Sequence, residues 1–401
     1  MINNGDVSFV LLSAALVFVM TPGLAFFYGG MVRKTSVLTI VLQSFASMGI
    51  VTTIWFLFGF SFAFGTDFHG IIGGFNYLLL ENVILAGPNP HYGGTIPLYA
   101  FFAFQEMFAI ITPALITGAF AGRMKFKAYL AFLTLWSIAV YIPIAHWVWG
   151  GGFLQQIGFV DFAGGSVVHA SAGLAALASI FVLGSRKYKE EQPHNITYVA
   201  LGTGLLWFGW FGFNAGSALH ADSLAANAFV NTDIAASVAL ITWLIFSWII
   251  RRRPSLMGAL TGSVAGLATV TPACGYIHPW EAALVGIAAS LACYGAVELR
   301  KKANWDDALD VWGVHGVGGI LGVILTGVFA LKSINGVSGL IEGNVHQFLV
   351  ELLGVAIVAA YSFVLTYLLL KLIKLFTPIR VEEEEEKKGL DVELGEKAYQ
   401  I

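Results

Sequence analysis

Two histidines stand inside long apolar stretches, His169 in DFAGGSVVHASAGLAALASIFVL (161–183) and His315 in DVWGVHGVGGILGVILTGVFA (310–330). Each follows an aspartate, Asp161 or Asp310, and each has glycines nearby. An ionisable side chain at bilayer depth is costly to hold, so such residues point to function. A lone imidazole bonded to a backbone carbonyl would serve as helix glue; two in matching places point to a pathway. Two neutral imidazoles can share one N–H···N bond, one ring donating and the other accepting. Charging both at once is opposed by repulsion and desolvation. The pair therefore suits a small polar solute or a passing proton. Metal binding is the rival chemistry, but no third Asp, Glu, Cys or His stands close enough in sequence to complete a ligand set.

Aromatic residues form the second group: Phe101, Phe102, Phe104 and Phe108; His146, Trp147 and Trp149; Trp207, Trp210, Phe211 and Phe213. A belt at the membrane interface accounts for many of them. It accounts less well for GWFGFNAGS, where Phe213, Asn214 and Ser217 lie together in an otherwise apolar run. Ring faces beside a hydroxyl make a cage for a small cation, worth ~2 kcal/mol per ring when desolvated. Burying an ammonium-sized ion costs on the order of 20 kcal/mol in the Born limit. A few rings do not offset that through a dry pore, and no Asp or Glu lies between Asp161 and Glu190 or between Asp310 and Glu342. The expectation is that a cation is captured at the rim and a neutral species crosses the centre, with any proton moving separately.

The elements that position these groups follow from composition. The chain is 57% hydrophobic and 11% charged over 401 residues, against about 25% charged in soluble domains. That reads as an integral membrane protein and gives no basis for nucleic-acid binding. Apolar runs long enough to cross a ~30 Å hydrocarbon core recur near 8–30, 37–63, 98–121, 128–148, 162–184, 196–219, 231–250, 255–276, 280–298, 308–330 and 346–371. Basic clusters follow every second span end: Arg33/Lys34, Arg123/Lys125/Lys127, Arg186/Lys187/Lys189, Arg251–Arg253, Arg300–Lys302 and Lys371/Lys374/Arg380. The alternate loops carry no Lys or Arg except Lys332. The positive-inside rule then predicts an all-α polytopic protein of eleven transmembrane helices, N-terminus outside and C-terminus inside. The N-terminal residues lack the basic region of a signal peptide, so the first span is expected to be retained.

Ten spans divide into two sets of five, about 8–184 and 196–330, with the eleventh helix at about 346–371. An odd number per set inverts the second against the first, the inverted-repeat plan of many transporters. His169 and His315 then lie on opposed helices and meet near the midplane. Residues 1–375 are expected to form the membrane domain, and 376–401 (including VEEEEEKKGLDVELGEKAY) a charged, solvated, cytoplasmic tail. Gly258-x3-Gly262-x3-Gly266 and Gly212-x3-Gly216 read as close helix packing. Cys274 and Cys293 read as small core residues.

Seven stretches in order, PGLAFFYGGMVR, YIPIAHWVWGGG, DFAGGSVVHASAG, GWFGFNAGS, VTPACGYI, DVWGVHG and GLDV, resemble the ammonium transporter family (Amt/Mep/Rh), with prokaryotic Amt proteins the nearest likeness. The resemblance implies a homotrimer with one pore per subunit in a prokaryotic plasma membrane, and no enzyme activity, cofactor or metal. By position, Phe104, Phe108, Trp149 and Ser217 would form the external cation site, Phe108 and Phe213 the gate, and His169 and His315 the pore pair. Asp161 would support the external site while capping its span, Asp310 would cap span 10, and Phe27 and Tyr28 would lie near the internal end. A cytosolic PII-type protein is the implied regulator, although this tail lacks the family's histidine before Gly-Glu. The expected function is ammonium transport, with methylammonium as analogue. An ammonium sensor with incidental transport is the alternative. An intramembrane hydrolase, suggested by Ser166/His169 and Ser217/His220, lacks an HExxH or GxSxG motif.

Overall fold

The computed structural model describes residues 1–83, 87–189 and 192–399; the last two residues of the expected tail lie outside that set. The apolar runs form helices α1 (Asn4–Met31), α2 (Val37–Phe64), α3 (Leu98–Phe120), α5 (Gly165–Leu183), α6 (Ile196–Gly216), α7 (Ser223–Arg251), α9 (Pro279–Lys302), α10 (Trp312–Phe329) and α11 (Val345–Phe376). Helix α4 runs from Phe126–Trp136 through a π-helical turn, Ser137–Tyr141, into Ile142–Trp149. These ten are long and apolar enough to cross a membrane. The remaining expected span, 255–276, contains a shorter helix, α8 (Leu256–Val270), followed by turns through Tyr276. The fold is that of a helical, multi-pass membrane protein.

Local chemistry starts the helices. Asn3 accepts from the Gly5 and Asp6 N–H groups, Asp222 from Leu224 and Ala225, and Asn344 from Gln347, satisfying donors that the first turn leaves orphaned. Packing does the rest. Helix α3 is the most enclosed span, while α7 and α11 are the least and present large apolar side chains outward, among them Ile241, Trp248, Leu353 and Leu368. An apolar exterior is the solution for a chain whose solvent is lipid. The glycine stripes lie where expected of close packing: a Cβ at Gly262 would fall 2.5 Å from Trp243 of α7, and one at Gly212 2.7 Å from Leu16 of α1.

Basic loops cluster at one end of the bundle, here the basic end. Arg123 is buried and donates to the Asp306 carbonyl at 2.7 Å, while Arg186 grips the Asp306 carboxylate through two nitrogens at 2.7 and 3.0 Å. Burial alone would raise the Asp306 carboxyl, but Arg186 and Arg123 outweigh it and hold it well below the usual carboxylate range. The tail, expected to be solvated, folds back onto this end. Val381 N–H donates to the Arg123 carbonyl and Asp391 N–H to Thr35. Thr39 donates to the Asp391 carboxylate at 2.9 and 3.0 Å, and Arg33 caps the Glu386 and Lys387 carbonyls. A short helix, α12 (Glu383–Lys388), directs Glu386 at Arg380 and at the Lys187 and Tyr188 N–H groups. The glutamate run thus finds the basic loops, and Ile379, Val381 and Leu390 are buried beneath it.

Candidate conduction pathway

Helices α5 and α10 cross at Gly173 and Gly316, where a Cβ on Gly173 would lie 2.1 Å from the Gly316 Cα. That approach brings His169 and His315 together, Nδ1 to Nδ1 at 3.3 Å, with rings 5.2 Å apart and 23° from parallel. One nitrogen donates and the other accepts, so a single hydrogen lies between them. Both histidines sit in π-helical turns, Gly165–Ala170 and Trp312–Gly316, that open their helices; such turns re-aim side chains and recur at functional sites. The imidazoles face a narrow slot whose other walls include Met20, Leu24, Ile111 and Leu206. Its cavity volume is about 10 Å³, close to what a single water needs.

Phe213, on the wall of the slot, meets Phe108, with ring centres 4.2 Å apart. Phe104 meets Phe108 at 4.9 Å, and Trp149 meets it edge-on at 5.9 Å. Ser217 Oγ donates to the Phe213 carbonyl at 2.9 Å, which leaves its lone pairs free to accept. The expected cage and gate residues therefore adjoin one another in space, Ser217 through Phe213. Asp161 lies behind Trp149. Its carboxylate accepts from the N–H groups of Gly164, Gly165, Ser166 and Val167 and from Ser166 Oγ, and its carbonyl accepts from Trp149 Nε1 at 2.8 Å. One aspartate thus starts α5 and aims the indole.

The second cap differs from expectation. Asp310 has a left-handed backbone, φ 61°, and its side chain pairs with Arg300. The carboxylate accepting from the Trp312 N–H, at 2.7 Å, is that of Asp307. Arg300, in the last turn of α9, draws the nearer carboxylate away. Burial pushes the Asp307 carboxyl up to about 6, and the neighbouring Asp310 charge adds to the effect. Phe27 lines the slot, and Tyr28 hydroxyl donates to the Leu115 carbonyl at 2.9 Å.

Several contributors were not legible as site residues. Trp210 stacks on His169 at 5.2 Å and anchors its indole on Thr271 Oγ1 at 2.9 Å; in sequence it was one aromatic among many. Glu351, buried in α11, accepts from the Val160 N–H at 3.0 Å beside Asp161. A carboxylate in a transmembrane run is itself a signal, but nothing in sequence ties it to residue 160. No cluster of three His, Cys, Asp or Glu side chains suited to a metal occurs among the described residues.

A model of the Ammonium Transporter Family matches residues 8–399. The chain belongs to the ammonium transporter family. It is 46% identical over 402 residues to the ammonium transporter of Bacillus subtilis, covering 99% of this chain and 98% of that one. It is 47% identical over 401 residues to a putative ammonium transporter of Methanothermobacter thermautotrophicus, covering 99% and 98%. The crystal structure of Candida albicans Mep2 superposes with a TM-score of 0.90 at 34% identity, covering 96% of this chain and 88% of that one. A solved structure titled Sensor Amt Protein gives 0.90 at 32% identity, covering 97% and 98%. Family and neighbours together support ammonium transport, with ammonium or ammonia as substrate, and the relatives carry the names of transporters rather than enzymes.

Proposed function

We propose that this ammonium transporter recruits ammonium at an outer site of Phe104, Phe108, Trp149 and Ser217, removes its proton, and passes ammonia between Phe108 and Phe213 to the His169–His315 pair. The observation that carries the reading is the slot itself: narrow, walled by apolar side chains, with two hydrogen-bonded imidazoles as its polar feature. A desolvated ammonium there faces a penalty of order 20 kcal/mol in the Born limit, and no carboxylate lines the slot to offset it. Ammonia keeps donors and a lone pair to exchange with the imidazoles. The displaced proton follows through the histidine pair, which makes uptake electrogenic. Asp161 and Glu351 support the outer site from behind, and Asp307 with Asp310 organises the inner start of α10.

In this reading α8 completes eleven spans, the N-terminus is outside and the C-terminus inside. Two five-helix repeats of opposite orientation occupy about 8–184 and 196–330, within a membrane domain of 1–375. The protein works as a homotrimer in a prokaryotic plasma membrane. A PII-type protein reads the inner face, where the described part of the tail, 376–399, covers the basic loops.

Reconstitution in proteoliposomes tests the mechanism. An ammonium pulse is expected to drive an inward current that is lost when both His169 and His315 become alanine; full current in that variant overturns the role of the pair. A second reading, a sensor, draws support from the neighbour titled as one and from the docked tail. It expects tail deletion to abolish a downstream response while flux persists.

A further inference from the structure

His146 takes no part in the pathway above, yet it is fully buried and both ring nitrogens are engaged. Nδ1 lies 2.8 Å from the Ala63 carbonyl at the end of α2, and Nε2 lies 2.9 Å from Asp67 Oδ1 on the hairpin that follows. A carbonyl only accepts, so Nδ1 carries a hydrogen, and a second hydrogen lies between Nε2 and the carboxyl. Asp67 also accepts from the Gly70 N–H at 2.9 Å. Gly70 in turn accepts at its carbonyl from Phe153 N–H, and the His146 carbonyl closes the helix end by accepting from Gly150 and Gly152. Trp149 sits one turn after His146, inside this closed loop of bonds. The packing leaves no slack, since a Cβ on Gly150 would lie 1.9 Å from the Ala63 carbonyl oxygen.

We infer that His146 and Asp67 are a positioning pair for the outer site, locking the end of α4 against α2 so that Trp149 presents its ring to the arriving cation. The indole then has two independent restraints, its Nε1 on the Asp161 carbonyl and its backbone on this clamp. A ring held by both stays at cation–π distance; a ring held by one swings. The inference rests on the proposed role of Trp149 in the outer site.

The test is methylammonium uptake by the full-length protein in proteoliposomes, read as KM and maximal rate separately. Asp67 is one-third exposed, so Asp67→Ala leaves the core intact. It is expected to raise KM roughly 5- to 30-fold, the loss of one desolvated cation–π contact, with the maximal rate within about twofold. His146→Ala should match it. Asp67→Asn should restore KM to near wild type, because the amide donates to Nε2 while Nδ1 still donates to Ala63. A raised KM in Asp67→Asn would mean that the charge attracts the cation directly and would overturn positioning. A lowered maximal rate with unchanged KM in Asp67→Ala would reduce the pair to fold support and also overturn it. Trp149→Leu separates the two readings. If it raises KM while Asp67→Ala does not, the pair alone is disproved; if it leaves KM unchanged, the outer-site reading fails and the pair's role with it.

Discussion

A buried polar side chain is acceptable in lipid when its bonds are met or its exposure is used, and the residues of the pathway divide on that line. Asp161 is met five times over by N–H and O–H donors at the start of α5. His169 Nε2 is buried without a protein partner, and Ser217 spends its hydrogen on the Phe213 carbonyl while keeping its lone pairs. These are the atoms left over for a solute. In the proposed outer site, Ser217→Ala removes one acceptor from the charged ligand, a bond worth about 1.5–3 kcal/mol. It is expected to raise the KM for methylammonium roughly 10- to 100-fold with little change in maximal rate; an unchanged KM would remove the serine from the cage. The cost of ionisable groups in lipid made His169 and His315 legible from sequence. Trp210, which stacks on His169, was not, because an aromatic in an apolar helix has no cost to advertise.

At the scale of elements, the site depends on a helix crossing and on two helix starts. The α5–α10 crossing is set by Gly173 against Gly316, and its closeness makes the 3.3 Å histidine contact geometrically available. Gly173→Ala would force a methyl into that contact, and overpacking of this kind costs about 1–3 kcal/mol. Both the melting temperature and the maximal uptake rate are expected to fall. Gly204→Ala, where a Cβ meets nothing within 4 Å, should leave both unchanged, and equal behaviour of the two variants would refute the crossing argument. The start of α10 carries a second test. The Asp307 carboxyl is held at about 6, above its ordinary 3.8, so the fold binds that proton more tightly than the unfolded chain does. Stability is therefore lost as pH rises through that window, by about 3 kcal/mol at most. Asp307→Asn keeps an acceptor for Trp312 and removes the charge. Its melting temperature should exceed wild type at pH 7.5 and converge on it towards pH 4; a constant difference would contradict the shift.

For the whole molecule, the tail changes the picture of the basic end. It lies across the loops between α1 and α2, α3 and α4, and α5 and α6, through Arg33, Thr39, Arg123 and Lys187. His194 extends the contact, with Nδ1 at 2.8 Å from the Val32 carbonyl and Nε2 at 2.8 Å from the Tyr399 hydroxyl. Deleting residues 379–401 is expected to lower the melting temperature and to speed trypsin cleavage at Arg33, Lys125 and Arg186. Equal protease resistance would show that the tail holds nothing in place. Composition made the tail look solvated because a block of five glutamates and two lysines stands among few apolar residues. Its buried Ile379, Val381 and Leu390 are too few and too scattered to announce a docked face.

What the sequence determined by itself is the membrane character, the run of apolar spans and the placing of two histidines inside them, since lipid penalises every polar group in proportion to its depth. Periodicity mattered less than that single cost. The tertiary structure decided everything that depends on distance between helices: the Gly173–Gly316 crossing, the Trp210 stack, the transfer of a cap from Asp310 to Asp307, and the clamp of His146 on Asp67. A π-helical turn rotates a side chain by a fraction of a turn, and a salt bridge such as Arg300–Asp310 diverts a carboxylate that sequence spacing had assigned elsewhere. Neither leaves a pattern along the chain. Both arise from neighbours that are remote in sequence and adjacent in the fold.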